Sequence, residues 1–225
     1  MANNYYNTTG VLMLETVTPI IEALFKSHEI KSDYPGNGEA YVACIAESSN
    51  TSWDQVIDSL EGYANAIGLV VPESEVHTHQ EEVLFALASH FGLDSDDRLA
   101  NMIEEIDFEQ SAGIGDLCLL AEMFNDGHGL RGFKAETSWH CSAPRLFEFG
   151  GSGEYSGKHV SIQVWSGQAL ELGQSLEKEI SAAELDKAAE ILAQKFEGLV
   201  SSIRDQATRA AVRAKVLSLL ANEAA

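Results

Sequence analysis

A change of pattern near residue 128 does most to limit the folds open to this chain. Before it, short segments begin at a cap residue, carry apolar side chains at helical spacing and stop at glycine. After it come alternating or aromatic-rich runs of strand character. A helix-rich stretch followed by a strand-rich one predicts an α+β fold rather than a regular βαβ repeat. The 225 residues suffice for one large domain or two small ones. The division is expected as an acidic, mostly helical region 1–128 and a β-meander with C-terminal helices over 129–225, or as a single domain 1–225.

The helices are read from their ends. Thr18 before Pro19 predicts an N-cap and a helix bearing Ile20, Ile21, Leu24 and Phe25 to about His28. Ser52 with Gln55, and Thr78 with Glu81, have capping-box spacing. The first opens a helix with Trp53, Val56, Ile57, Leu60 and Ala64 that Gly68 closes. The second opens one with Val83, Leu84, Leu87 and Phe91 that Gly92 closes. Two more helices are expected at about Ser95 to Asp107 and Gly115 to Asn125. In this half only "AYVACIA" and "GLVV" read as strands.

From Leu130, "LRGFKAETSWH", "RLFEF" and "HVSIQVW" predict an antiparallel meander. A helix over about Gln168 to Lys178 follows. Ser181 with Glu184 has capping-box spacing and opens a segment compatible with helix to about Ala221. Leu185, Leu192, Leu199 and Leu220 fall on one heptad position, and Ala189, Phe196, Ile203, Ala210 and Leu217 on another. Gln206 and Arg213 break the first series. The segment reads as one long dimerising helix, or as two helices hinged near Gly198 that fold back on the chain, and the broken heptads favour the second.

The glycine-rich stretch "FGGSGEYSGKHVS" matches no phosphate-binding loop. A Walker A pattern would need glycine at Ser152 and Ser or Thr at His159. The dinucleotide fingerprint would need glycine at Ser156, and a nucleophile elbow would need it at Glu154. Phosphate loops also open a helix, whereas this one lies between strand-like runs, so residues 150–158 are expected to be a hairpin turn.

Other chemistry is sparse. His77 and His79 could share a strand face, but a cap at Thr78 sends them apart, and no zinc-binding spacing accompanies them. His140 beside Cys141 resembles a thiol with its base, yet neighbours on a strand face opposite ways. No metal and no cofactor is expected. Three cysteines without CxxC spacing read as reduced thiols. The N-terminal residues lack the pattern of a secretion signal, and no apolar run is long enough to cross a bilayer, so a cytoplasmic protein without a membrane is expected.

Charge is the strongest clue to function. Thirty-five acidic residues against 14 Lys and Arg give a net charge of -21. Residues 1–125 hold 22 acidic side chains against Lys26, Lys31 and Arg98, a balance of -19; the remaining hundred are near neutral, with 13 acidic and 11 basic. Asp54, Asp58 and Glu61 recur at four and three residues on one expected helix. Asp97, Glu104 and Glu105 do so on another, which Asp94, Asp96, Asp107 and Glu109 extend. Side chains so spaced stand about 5–6 Å apart, comparable to the charge repeat of a nucleic-acid strand, roughly one per 3.4 Å.

Like charges this close cost a helix stability, and adaptation to salt would spread acid along the whole chain. The asymmetry therefore favours a basic partner. The sequence predicts a non-enzymatic, acidic inhibitor or modulator of a basic nucleic-acid-handling protein or complex, of the nucleic-acid-mimic type. Anti-CRISPR and antirestriction proteins of mobile elements are an analogy from charge alone. Direct nucleic-acid binding is not expected, since only Arg204, Arg209, Arg213 and Lys215 form a basic stripe. Two alternatives stand beside this reading: a metal-dependent or thiol hydrolase using His77, His79, His128 or His140, and an assembly protein forming a homodimer through the C-terminal helix.

Overall fold

The computed structural model describes residues 4–45, 51–93, 97–143, 145–146 and 148–223. The chain folds as α+β, with helices layered on one face of a six-stranded antiparallel sheet of order β2-β3-β1-β4-β5-β6. The strands are β1 (Asn4–Met13), β2 (Lys31–Pro35), β3 (Glu39–Ile45), β4 (Gly132–Cys141), β5 (Phe149–Gly157) and β6 (Ser161–Trp165).

The N-terminal half is thus not only helical. It supplies β1, β2 and β3, and β1 sits centrally, paired from Asn4↔Cys141 to Met13↔Gly132 with β4 and from Asn7 to Met13 with β3. What was expected to be a small meander is half of this sheet. "AYVACI" forms β3, but "GLVV" is no strand: Leu69 and Val71 pack against the core from a connecting segment. "RLFEF" is not a strand of its own either. Arg145 and Leu146 precede β5, and Phe147 lies outside the described residues.

The helices α1 (Pro19–Leu24), α2 (Trp53–Ala66), α3 (His79–His90), α4 (Asp97–Glu105) and α5 (Ile114–Met123) form the layer. Alternation along the strands turns Leu12, Ala40, Val42 and Phe133 towards it. These bury against Ile20, Ile21, Leu24, Phe25, Trp53, Ile57, Leu60, Leu84, Leu87, Leu117 and Phe124. The opposite sheet face is wet: Thr9, Lys134, Glu136, Ser138 and Val164 on it are exposed.

Thr78 closes the expected capping box, its N–H donating to Glu81 Oε2 at 2.7 Å and its hydroxyl accepting from Glu81 N–H at 3.3 Å. Ser52 occupies the N-cap of α2 without a side-chain cap bond. At α1 the cap comes from a distance. Thr18 donates to Asp126 Oδ1 at 2.5 Å, while Asp126 Oδ2 accepts from Ile20 N–H at 3.1 Å.

The glycine stretch is itself strand β5, and the turn falls at Lys158 to Val160. Gly150 pairs with Trp139, and a Cβ there would overlap the indole ring. Gly150 makes room on the strand rather than bending it.

Beyond β6 come α6 (Gly167–Ser181), α7 (Leu185–Ser201) and α8 (Gln206–Glu223). The tail is therefore broken, at 202–205 rather than at Gly198, which lies inside α7. Ser181 and Glu184 do not form a capping box: Ser181 ends α6 and Glu184 precedes α7. The break docks on the β5–β6 turn, with Ser161 N–H donating to Ser202 C=O at 2.9 Å and Arg204 N–H to His159 C=O at 3.0 Å. No helix among the described residues is long and apolar enough to cross a membrane.

Candidate protein-interaction surface

The expected acidic residues stand on two helices of the layer. On α2, Asp54 and Asp58 are exposed opposite the buried Val56, Ile57 and Leu60, and Glu61 is half-buried. Asp54 Oδ1 accepts from Gln80 at 3.3 Å, and Glu61 lies 3.4 Å from His79. On α4, Asp97, Glu104 and Glu105 are exposed while Leu99 and Ile103 face the core. Asp107 shapes the turn after α4, accepting from Glu109 N–H at 3.1 Å and from the Gln110 amide at 2.8 Å. Asp94 and Asp96 lie outside the described residues.

Part of this set borders two adjoining recesses around α5. One, of ≈ 610 Å³, lies between α4 and α5, with Glu105, Asp107, Asp116 and Glu122 on its walls above Trp53, Met102 and Met123. Arg98 is the only Lys or Arg among its described lining residues. The other, of ≈ 940 Å³, opens where the helix layer ends over the sheet. There the layer-facing side of β1 changes from Leu12 to Thr8, Tyr6 and Asn4, and Thr8 shares a hydrogen bond with Thr137 at 2.8 Å.

Asp116 belongs to both recesses; Glu109 and Glu154 join it in the larger. Glu154 projects from β5 against the first turn of α5, where a Cβ on Gly115 would lie 3.9 Å from its Oε1. Burial, and then the charge of Asp116, raise the Glu154 carboxyl above the usual range. Burial pushes the Cys118 thiol up, and the charges of Glu122 and Glu154 add to this. Asp116, Glu122 and Glu154 carry no local signal in the sequence. Glu154 and Asp116 meet because β5 passes the start of α5, a pairing no spacing rule contains.

The histidines raised by the hydrolase reading are dispersed. His77 lies 3.7 Å from Glu81 and edge-on to Phe85. His128 is buried, Nε2 meeting Ala121 C=O at 2.8 Å and Nδ1 accepting from Leu130 N–H at 2.8 Å. His140 stacks between Tyr5 and Phe149, on the face opposite buried Cys141. Cys44 borders the larger recess, 3.8 Å from the Thr51 hydroxyl. No three His, Cys, Asp or Glu side chains among the described residues are placed to hold a metal ion.

On the tail, Leu185, Leu192 and Leu199 are exposed, and α6 buries nothing. Arg213 pairs with Glu197 at 2.6 Å, and Arg204 donates to Ser156 at 2.7 Å. Part of the basic stripe is thus engaged within the chain.

No family model matches this chain, and no curated protein or solved structure matches it either.

Proposed function

We propose that the protein is an acidic inhibitor or modulator that binds a basic, nucleic-acid-handling protein where that protein would hold phosphate. One observation carries this reading: the two adjoining recesses around α5 are bordered by Glu105, Asp107, Glu109, Asp116, Glu122 and Glu154, with Arg98 the one Lys or Arg among the described lining residues. Asp54 and Asp58 extend the negative field across α2. Carboxylates fixed on packed helices lose little freedom on binding, and a field of one sign speeds the encounter with an opposite surface.

The test is capture from cell lysate with tagged protein, after nuclease treatment and at two salt concentrations. Enrichment of basic nucleic-acid-binding proteins that added DNA or RNA displaces supports the reading. Retention of nothing specific at low salt, or equal retention by a variant with Asp54, Asp58, Glu104 and Glu105 changed to amides, contradicts it.

A second reading, self-association through the tail, is favoured by Leu185, Leu192 and Leu199, which stand exposed at seven-residue intervals on α7. Sedimentation of the full chain, and of one ending at Asp205, measures it.

A further inference from the structure

We propose that α8 of one copy docks in the recess between α4 and α5 of a second copy, and that the two copies do so reciprocally. This rests on reading the tail as a self-associating element, and it names the surface that the tail meets.

The helix α8 lacks a buried face. None of residues 206–222 is buried, and only Arg209 and Val216 are half-buried. Its start is fixed, since the preceding turn docks on the β5–β6 turn and Arg209 Nε donates to Ile203 C=O at 2.8 Å. Beyond that start Val212, Leu217, Leu219 and Leu220 stand exposed. Helices in proteins draw most of their stability from packing one apolar face, so a helix of 18 residues that buries none calls for a covering surface.

The pattern of α8 says what that surface must be. Val212, Val216, Leu219 and Leu220 fall at i, i+4, i+7 and i+8, a single apolar stripe. Arg209 and Arg213 lie along one side of it and Lys215 along the other. Residues 206–222 hold these three cations and no carboxylate, while all 35 acidic residues lie elsewhere, against the other 11 of the 14 Lys and Arg. This is the cationic helix of an anionic chain. Arg213 is also paired with Glu197 of α7 at 2.6 Å, an exposed contact that holds it weakly.

The recess between α4 and α5 offers the converse. Met102, Ile106 and Leu119 line it, and Leu119 is 47% exposed. Glu105, Asp107, Asp116 and Glu122 border it, with Arg98 the one Lys or Arg among its described lining residues. An apolar groove with an anionic border takes an amphipathic helix whose stripe is flanked by cations.

A second copy supplies that helix. None of the described residues lining the recess comes from the tail. Within one chain the tail meets the sheet through Ile203 and Val160, at the end where Met13 pairs with Gly132. The recess instead adjoins the cavity at Asn4, Tyr6 and Thr8, the other end of β1. Reciprocal exchange closes the pair with two identical contacts, whereas a one-way contact would propagate. The dimer covers Glu105 and Glu122, so self-association and a basic partner exclude one another at this recess.

Sedimentation velocity of the full chain should show a concentration-dependent dimer. Arg213→Glu with Lys215→Glu should weaken it at least tenfold, as should Glu105→Lys with Glu122→Lys. Mixed together, these two variants should pair again, because one contact then joins reversed helix to reversed recess and the other joins parent to parent. Leu219→Ser, which leaves the charges alone, should also weaken the dimer at least tenfold, whereas Leu192→Ser on α7 should change it less than twofold. The substituted side chains are exposed, and unchanged far-ultraviolet circular dichroism checks that each variant folds.

A chain that stays monomeric at millimolar concentration overturns both this contact and self-association through the tail. A dimer lost on Leu192→Ser but kept by the charge-reversed variants preserves self-association and overturns the contact. Folded variants that fail to pair when mixed overturn it as well. A monomer that binds anionic lipid vesicles through α8 assigns the helix to a membrane surface and likewise overturns it.

Discussion

Acidification should destabilise this protein through His28 by an amount its burial sets. The ring is 2% exposed and packs edge-on to Phe25, and its proton affinity falls from 6.5 to about 4. Desolvation is the cause: burial strips a charged imidazole of its water, and its Nδ1 finds no acceptor among the described residues. The folded value lies below the unfolded one, so the unfolded chain takes up a proton first. The associated stability is complete above pH 6.5 and is lost as pH falls towards about 4. At about 1.4 kcal/mol for each pH unit between the two values, the loss is about 3 kcal/mol. Protonation of Glu154, whose carboxyl burial raises above the usual range, offsets part of it in the whole protein, so the contribution must be read as a difference. The comparison is with His28→Leu, by urea denaturation between pH 7.5 and 4.5. The variant should match or exceed the parent at pH 7.5, because it buries no unpaired nitrogen, and its margin should widen by about 2 to 3 kcal/mol on acidification. Parallel pH profiles, or a His28 ring titrating near 6.5, would refute the reasoning.

Two further outcomes follow from the backbone. Gly150→Ala forces a methyl group into the Trp139 ring and should cost about 1–3 kcal/mol as overpacking, with a change in near-ultraviolet circular dichroism; an unaltered Trp139 environment would count against the packing described. Ala183, between α6 and α7, holds φ at 60°, so Ala183→Gly should raise stability by roughly 1 kcal/mol, and a loss on thermal denaturation would contradict that conformation.

Local signals announced the local structure. Thr78 and Glu81 foretold both the start of α3 and its cap, and the apolar face of α2 lies where its spacing put it. What failed was long-range. "NYYNTTGVLM" reads as polar because its wet face carries Asn7 and Thr9, and because its layer-facing side ends in Thr8 and Tyr6 at a cavity. Only pairing with β3 and β4 makes it the central strand. Glycine in β5 signalled a turn to a reader who could not see the Trp139 ring opposite Gly150. The tail breaks at 202–205, where it docks on the β5–β6 turn, a contact no heptad count contains.

The candidate surface divides in the same way. Asp54, Asp58, Glu104 and Glu105 were visible because each helix repeats its charges at its own period. Asp116, Glu122, Glu154 and His28 were not, because β5, α5 and the residue run after α1 each contribute one or two groups to shared cavities. Periodicity within an element identifies a face, while a recess belongs to the packing between elements.

Displacement of nucleic acid is the most direct test of the acidic surface. A captured basic protein is loaded with labelled duplex DNA, and the chain is titrated in while free label is followed by fluorescence anisotropy. The account predicts stoichiometric release of the DNA, weakened by added salt and lost when Asp54, Asp58, Glu104 and Glu105 are changed to amides. Binding of the chain with the DNA still held, or equal release by the amide variant, would contradict it.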